Sequence, residues 1–157
     1  MPDYDITRQT VDAIPVVFMR RRLEHDRIAE GLGEVLPVVY AFAMEKGMAI
    51  AGHPFTRYSE WSPGFVTIEA GVPLSAAPDA FEHDSIEAGE LPAGPAAVAL
   101  HIGPYEKLGE AHKAIESWIG EAGHKPGSAP YELYLTDPGE VPDPADWKTK
   151  VVWPLSA

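Results

Sequence analysis

The chain has 157 residues, 12 basic against 24 acidic side chains, a formal net charge of −12 and no cysteine. That length suits one domain able to bury a core without staples; the missing cysteines exclude disulfides and thiolate metal sites, and the negative charge disfavours phosphate backbones and anionic lipid surfaces. The first residues, "MPDYDITRQT", lack the basic flank and apolar run of a signal peptide, and no later stretch approaches ~18 consecutive apolar residues, so a soluble cytoplasmic protein is expected, with no membrane and no direct nucleic-acid partner.

A strand near the N-terminus is followed by an apolar strand at "AIPVVFMRR". In "DRIAEGLGEVLPVVYAFAMEKG", Ile28, Leu32, Val35, Leu36, Val39, Phe42 and Ala43 then recur at helical spacing. Asp26 is placed to cap this helix, Gly47 to end it and Pro37 to kink or interrupt it. Two strands follow, around "AGHPFTRYSE" and "GFVTIEAGVPLS". After the loop "AAPDAFEHDS" the order returns: strands at "SIEAGELPAG" and "PAAVALHIG", a helix at "YEKLGEAHKAIESWIGEAG" with Leu108, Ala111, Ile115, Trp118 and Ile119 on one stripe, then strands at "PYELYLTDP" and "KTKVVWPLS".

An offset of 76 superposes Leu32-Gly33-Glu34 on Leu108-Gly109-Glu110, Gly47 on Gly123, Pro54 on Pro130 and Tyr58 on Tyr134; "VPLS" at 72 to 75 answers "WPLS" at 153 to 156. The fold class is therefore α+β, with duplicated β-α-β-β units (pseudo-repeats approximately 1–76 and 84–157) in a single domain. The units are expected to form an antiparallel sheet with two helices on one face and a ligand cleft on the other.

Glu132 is the residue that asks for a function. In "YELYLT" it alternates with Tyr134 on one strand face while Tyr131, Leu133 and Leu135 take the other, so a carboxylate is set among aromatics and is expected on the helix-free face. The offset places Thr56 and Tyr58 at the corresponding positions of the first half. Trp61, Tyr105 and Trp153 are further candidates for the walls of an aromatic site around one negative charge, a constellation suited to flat, lipophilic, cationic aromatic molecules. His112 and Glu116 are one helical turn apart and His101 ends a strand, but the six histidines lack paired ligand spacing, so neither a metal nor a cofactor is expected. "GLGEV" lies inside a helix pattern and is no phosphate loop, and "PGEVPDPADW" reads as a solvated connection.

The duplicated unit with "HIGPYEKL", "GHKPGSAPYELYLTDP" and "DPADWKTKVVWPL" resembles the gyrase-inhibitor-like (GyrI-like) family, the small-molecule-binding domain that is also the effector-binding half of multidrug-responsive transcription activators. The resemblance implies that Glu132 lies at the floor of an aromatic pocket and recognises cationic drugs, with Tyr134 beside it and Tyr105 at the "GPY" position. It departs from the family at Lys150, where an acidic residue is expected in the final strand, and in having no helix-turn-helix before Met1. Stand-alone relatives that hydrolyse cyclopropane-bearing DNA-alkylating natural products imply an alternative in which Glu132 and Tyr134 are catalytic. Related SOUL proteins imply a second, with His101 or His53 holding haem.

Overall fold

The computed structural model describes residues 4–136 and 139–156. It contains eight strands, β1 (Thr7–Val11), β2 (Ile14–Glu24), β3 (Phe55–Ser62), β4 (Phe65–Pro73), β5 (Ile86–Leu91), β6 (Gly94–Ile102), β7 (Tyr131–Tyr134) and β8 (Lys148–Pro154), and two helices, α1 (Ile28–Glu45) and α2 (Leu108–Glu121). The pairings β1–β6, β6–β8, β7–β8, β2–β5, β2–β4 and β3–β4 are antiparallel and the class is α+β, as the alternation of patterns predicts. The end of the expected "PYELYLTDP" strand, residues 137 and 138, lies outside the described residues; β7 itself stops at Tyr134.

The chain divides into two compact units. Unit 2, Ala13–Pro92, orders its strands β5-β2-β4-β3 and packs α1 on β2 and β4. Its core is the helical stripe Val35, Val39 and Ala43 against Val17, Met19, Val66, Ile68, Ala70 and Val72, all at least nine-tenths buried. Unit 1, Met1–Asp12 with Ala93–Ala157, orders its strands β1-β6-β8-β7 and packs α2 on β6 and β8. Leu108, Ala111, Ile115 and Ile119 form the buried stripe of α2. Each unit thus takes its helix and three strands from one half of the chain and its edge strand, β5 or β1, from the other.

Both helices end the same way. Gly47 and Gly123 adopt φ of 70° and 77°, and in each case the next residue's N–H reaches back five residues: Met48 to Ala43 O at 2.9 Å and His124 to Ile119 O at 3.0 Å. These are Schellman ends, which use glycine because a Cβ is disfavoured at positive φ. Three local expectations are corrected. Asp26 does not cap α1; it lies in a 3₁₀ turn, His25–Arg27, and the N-cap position is Arg27 without a side-chain bond. Pro37 does not interrupt α1, which continues through it with Val35 and Val39 buried on either side, so packing outweighs the lost backbone bond. Trp118 is half-buried at the rim of its stripe, stacked on His124 at 5.6 Å.

Candidate functional site

In unit 1 the register fixes which side chains share a face. Glu132 is opposite Val151 and Tyr134 opposite Thr149 on β8, which in turn pair with Ala99 and His101 on β6; Trp153 is opposite Ala97. This is the face that carries α2, because His112 of α2 reaches Glu132 directly. The expectation that Glu132 points to the helix-free face is therefore corrected. The alternation was read properly, but the tyrosine–leucine side was wrongly taken as the one facing the helix.

Glu132 is 1% exposed. Its Oε2 is 2.7 Å from His112 Nε2, and its Oε1 accepts from the Tyr134 hydroxyl at 3.0 Å. The indole Nε1–H of Trp153 donates to His112 Nδ1 at 3.0 Å. Indole nitrogen can only donate, so Nδ1 of His112 must be the bare acceptor and its proton sits on Nε2, facing the carboxylate. A doubly protonated ring would turn an N–H against an N–H. The chain Trp153–His112–Glu132–Tyr134 therefore supplies the buried carboxylate with two neutral donors, which offset its desolvation without bringing a positive charge to it.

Aromatic rings close over this chain. Tyr105 lies in a 3₁₀ turn after β6, with its ring 5.4 Å from that of Tyr134 and 4.7 Å from that of Trp147. Trp147 is anchored by its Nε1–H donating to Val141 O at 2.7 Å and its carbonyl accepting from Gly103 N at 2.8 Å. The carboxylate is thus covered, not open to solvent.

His101 lies on the same face, 3% exposed, with Nε2 near Pro104 O at 3.1 Å and Nδ1 near the Tyr4 hydroxyl at 2.9 Å. A carbonyl can only accept, so Nε2 carries a proton; in the neutral ring Nδ1 then accepts from the Tyr4 hydroxyl. Burial, with Glu110's charge adding to it, pushes the Tyr4 phenol up and keeps it a donor. Both ring nitrogens of His101 are engaged.

The remaining candidates lie in unit 2. Tyr58, opposite Ile68, packs against the core there, and Thr56, opposite Ala70, is fully buried. Trp61 is 63% exposed and stacked on His25 at 4.5 Å, and His53 is exposed. A Trp61→Ala change is expected to alter stability by no more than ~0.5 kcal/mol, because so exposed a ring buries little; thermal or urea unfolding checks this. Lys150 pairs opposite Leu133, one residue out of step with Glu132, so its side chain leaves the opposite face of the sheet and does not stand beside the carboxylate.

Two members of the site escaped sequence reasoning. His112 has no metal-ligand spacing to its neighbours, so spacing alone does not single it out. The available signal was the repeat: at an offset of 76 its counterpart is Leu36, and Glu132's is Thr56, so a leucine becomes a histidine where a neutral threonine becomes a carboxylate. Trp147 was hidden in an acidic, proline-rich connection where a lone tryptophan was the clue. Among the described residues no group of three His, Asp or Glu side chains is arranged to hold a metal ion, and no helix is long and apolar enough to cross a membrane.

Residues 4–156 match the family described as the GyrI-like small molecule binding domain. The chain belongs to the GyrI-like family. Among solved structures, the EcmrR C-terminal domain is similar with a TM-score of 0.82 at 20% identity, covering 98% of both chains. In the EcmrR–DNA complex the same likeness reaches 0.84, and the GyrI-like chain spans 57% of EcmrR's length. SAV2435 bound to tetraphenylphosphonium gives 0.60 at 12% identity, covering 99% of this chain and 95% of that one. A hydrolase from Listeria innocua gives 0.63 at 12% identity, with coverage of 99% and 94%. These identities show a shared fold. Comparison with curated protein sequences gives no match.

Proposed function

We propose that this GyrI-like domain binds lipophilic aromatic cations at Glu132, as a drug- or toxin-sequestering or sensing protein. The observation that carries the reading is the neutral tautomer of His112: with Tyr134 it donates to Glu132 and stabilises the carboxylate without adding a positive charge. Tyr134, Tyr105 and Trp153 then offer faces for stacking and cation–π attraction, worth about 0.5–2 kcal/mol per good contact. A flat ring reaching Glu132 displaces the Tyr105–Trp147 pair, exchanging one aromatic contact for another. The SAV2435 complex with an aromatic phosphonium supports this choice of ligand class.

The test is a pair of ions alike in shape and opposite in charge, tetraphenylphosphonium and tetraphenylborate, titrated by calorimetry or fluorescence. The wild-type protein is expected to prefer the cation. Glu132→Gln keeps the shape and most hydrogen bonds but removes the charge, so it is expected to cost the cation ~1–3 kcal/mol and to narrow or reverse the preference. A folded Glu132→Gln protein with unchanged cation affinity would sink the charge-recognition reading and leave aromatic stacking alone.

A second reading is hydrolysis of cyclopropane-bearing alkylating compounds, favoured by the hydrogen bond between Tyr134 and Glu132, which pairs a carboxylate with a hydroxyl. Mass analysis after incubation decides it. Ring-opened product at many turnovers, slowed at least ~10²-fold by Glu132→Gln, supports the enzyme; binding without product supports sequestration.

A further inference from the structure

On the face of unit 2 opposite α1 there is a hollow of about 200 Å³, with Val16, Phe18, Phe55 and Leu91 as its apolar lining and Arg20, Arg57, Glu69 and Glu90 as its charged lining. Val16 and Phe18 alternate along β2 with Val17 and Met19, which belong to the core beneath α1, so this hollow is separate from that core. Its four apolar side chains are each at least nine-tenths buried. The Phe18 ring packs directly against Gly89, where a Cβ would come within 2.9 Å of it.

The polar wall is unevenly satisfied. Arg20 donates twice to Glu69 Oε2, at 3.2 and 2.8 Å, and once to Glu87 at 3.2 Å. Arg57 approaches Glu69 Oε1 only at 3.6 Å, and its buried Nε–H has no hydrogen-bond partner. The shared carboxylate is thus hydrogen-bonded by Arg20, while Arg57, only loosely paired to it, keeps a buried, charged Nε–H donor beside the apolar lining. Buried donors are rarely left unmet, and a guanidinium edge matches an oxyanion in geometry and charge.

We propose that this hollow is a second ligand site, for a small apolar monocarboxylate whose oxygens bond Arg57 and whose hydrocarbon or aryl part lies on Phe18, Phe55 and Leu91. Its volume equals about six or seven liquid-water volumes and falls below the ~300–1,000 Å³ of drug-sized sites, so it takes a fragment the size of phenylacetate. Glu87 and Glu90 near its rim are exposed and disfavour a second negative charge on the ligand.

The test titrates phenylacetate, phenylacetamide and phenethylammonium into the intact protein, following the methyl signals of Val16 and Leu91 and the Nε–H signal of Arg57 by NMR. Phenylacetate is expected to saturate these shifts and to bind at least tenfold more tightly than the amide or the ammonium. Arg57→Gln is expected to weaken it at least tenfold at unchanged melting temperature; if that variant does not fold, the charge series on the wild-type protein decides alone. Absence of saturation, equal binding of the amide, preference for the ammonium, or undiminished binding in folded Arg57→Gln overturns the proposal.

Discussion

An Ile115→Ala variant is expected to lose about 2–5 kcal/mol of folding stability, with the upper half of that range favoured. Ile115 is fully buried at the centre of the α2 stripe, between Ala111 and Ile119. Beneath α2, the strand positions Ala97 and Ala99 are already small and buried, so they have no side-chain length with which to move into a cavity. A loss near 3.5 kcal/mol corresponds to roughly 10 °C in a chain of this length. Urea unfolding should show a lower midpoint at an unchanged slope. A loss below ~1 kcal/mol would mean that α2 does not rely on this stripe.

The architecture was legible because it rests on periodicities that recur in one sequence. The stripe Val35, Val39 and Ala43 of α1 has its counterpart in Ala111, Ile115 and Ile119 of α2, and all six are buried. Register repeats as well, though the offset grows from β3/β7 to β4/β8: Thr56 is opposite Ala70 as Glu132 is opposite Val151, and Tyr58 opposite Ile68 as Tyr134 opposite Thr149. Periodicity identifies which residues share a strand face, but not which face receives the helix. That is why the alternation puts Glu132, Tyr134 and Trp153 on one face, as the register does, yet does not tell that this face carries α2. In a strand of tyrosines and leucines both faces are apolar enough to be buried: Tyr131 is 1% exposed and Tyr134 8%. Hydrogen-bond chains are harder still to foresee. His112 lies on a helix 20 residues before Glu132, and Trp153 lies 41 residues beyond His112, so only the packing of α2 on β8 makes them neighbours.

Replacing His112 by leucine, the residue at the corresponding place in α1, is expected to cost ~2–3 kcal/mol, because it removes the donor to a buried carboxylate and the acceptor for Trp153 together. The size of that loss should depend on Glu132 still being charged. In unit 2 the equivalent pair, Leu36 and Thr56, sits in an apolar core without a carboxylate, and Thr56 is fully buried there. The double change His112→Leu with Glu132→Thr imports that pair, and it is expected to recover ~1–2 kcal/mol relative to the sum of the single changes, even though threonine leaves some space where glutamate was. Additivity within ~0.5 kcal/mol would show that His112 does not support the charge of Glu132. The tautomer gives an independent reading on the unmodified protein: nitrogen NMR at neutral pH should find His112 protonated at Nε2 and bare at Nδ1. A ring protonated at both nitrogens would cancel Glu132's charge, and with it the reason for a cation to prefer this site.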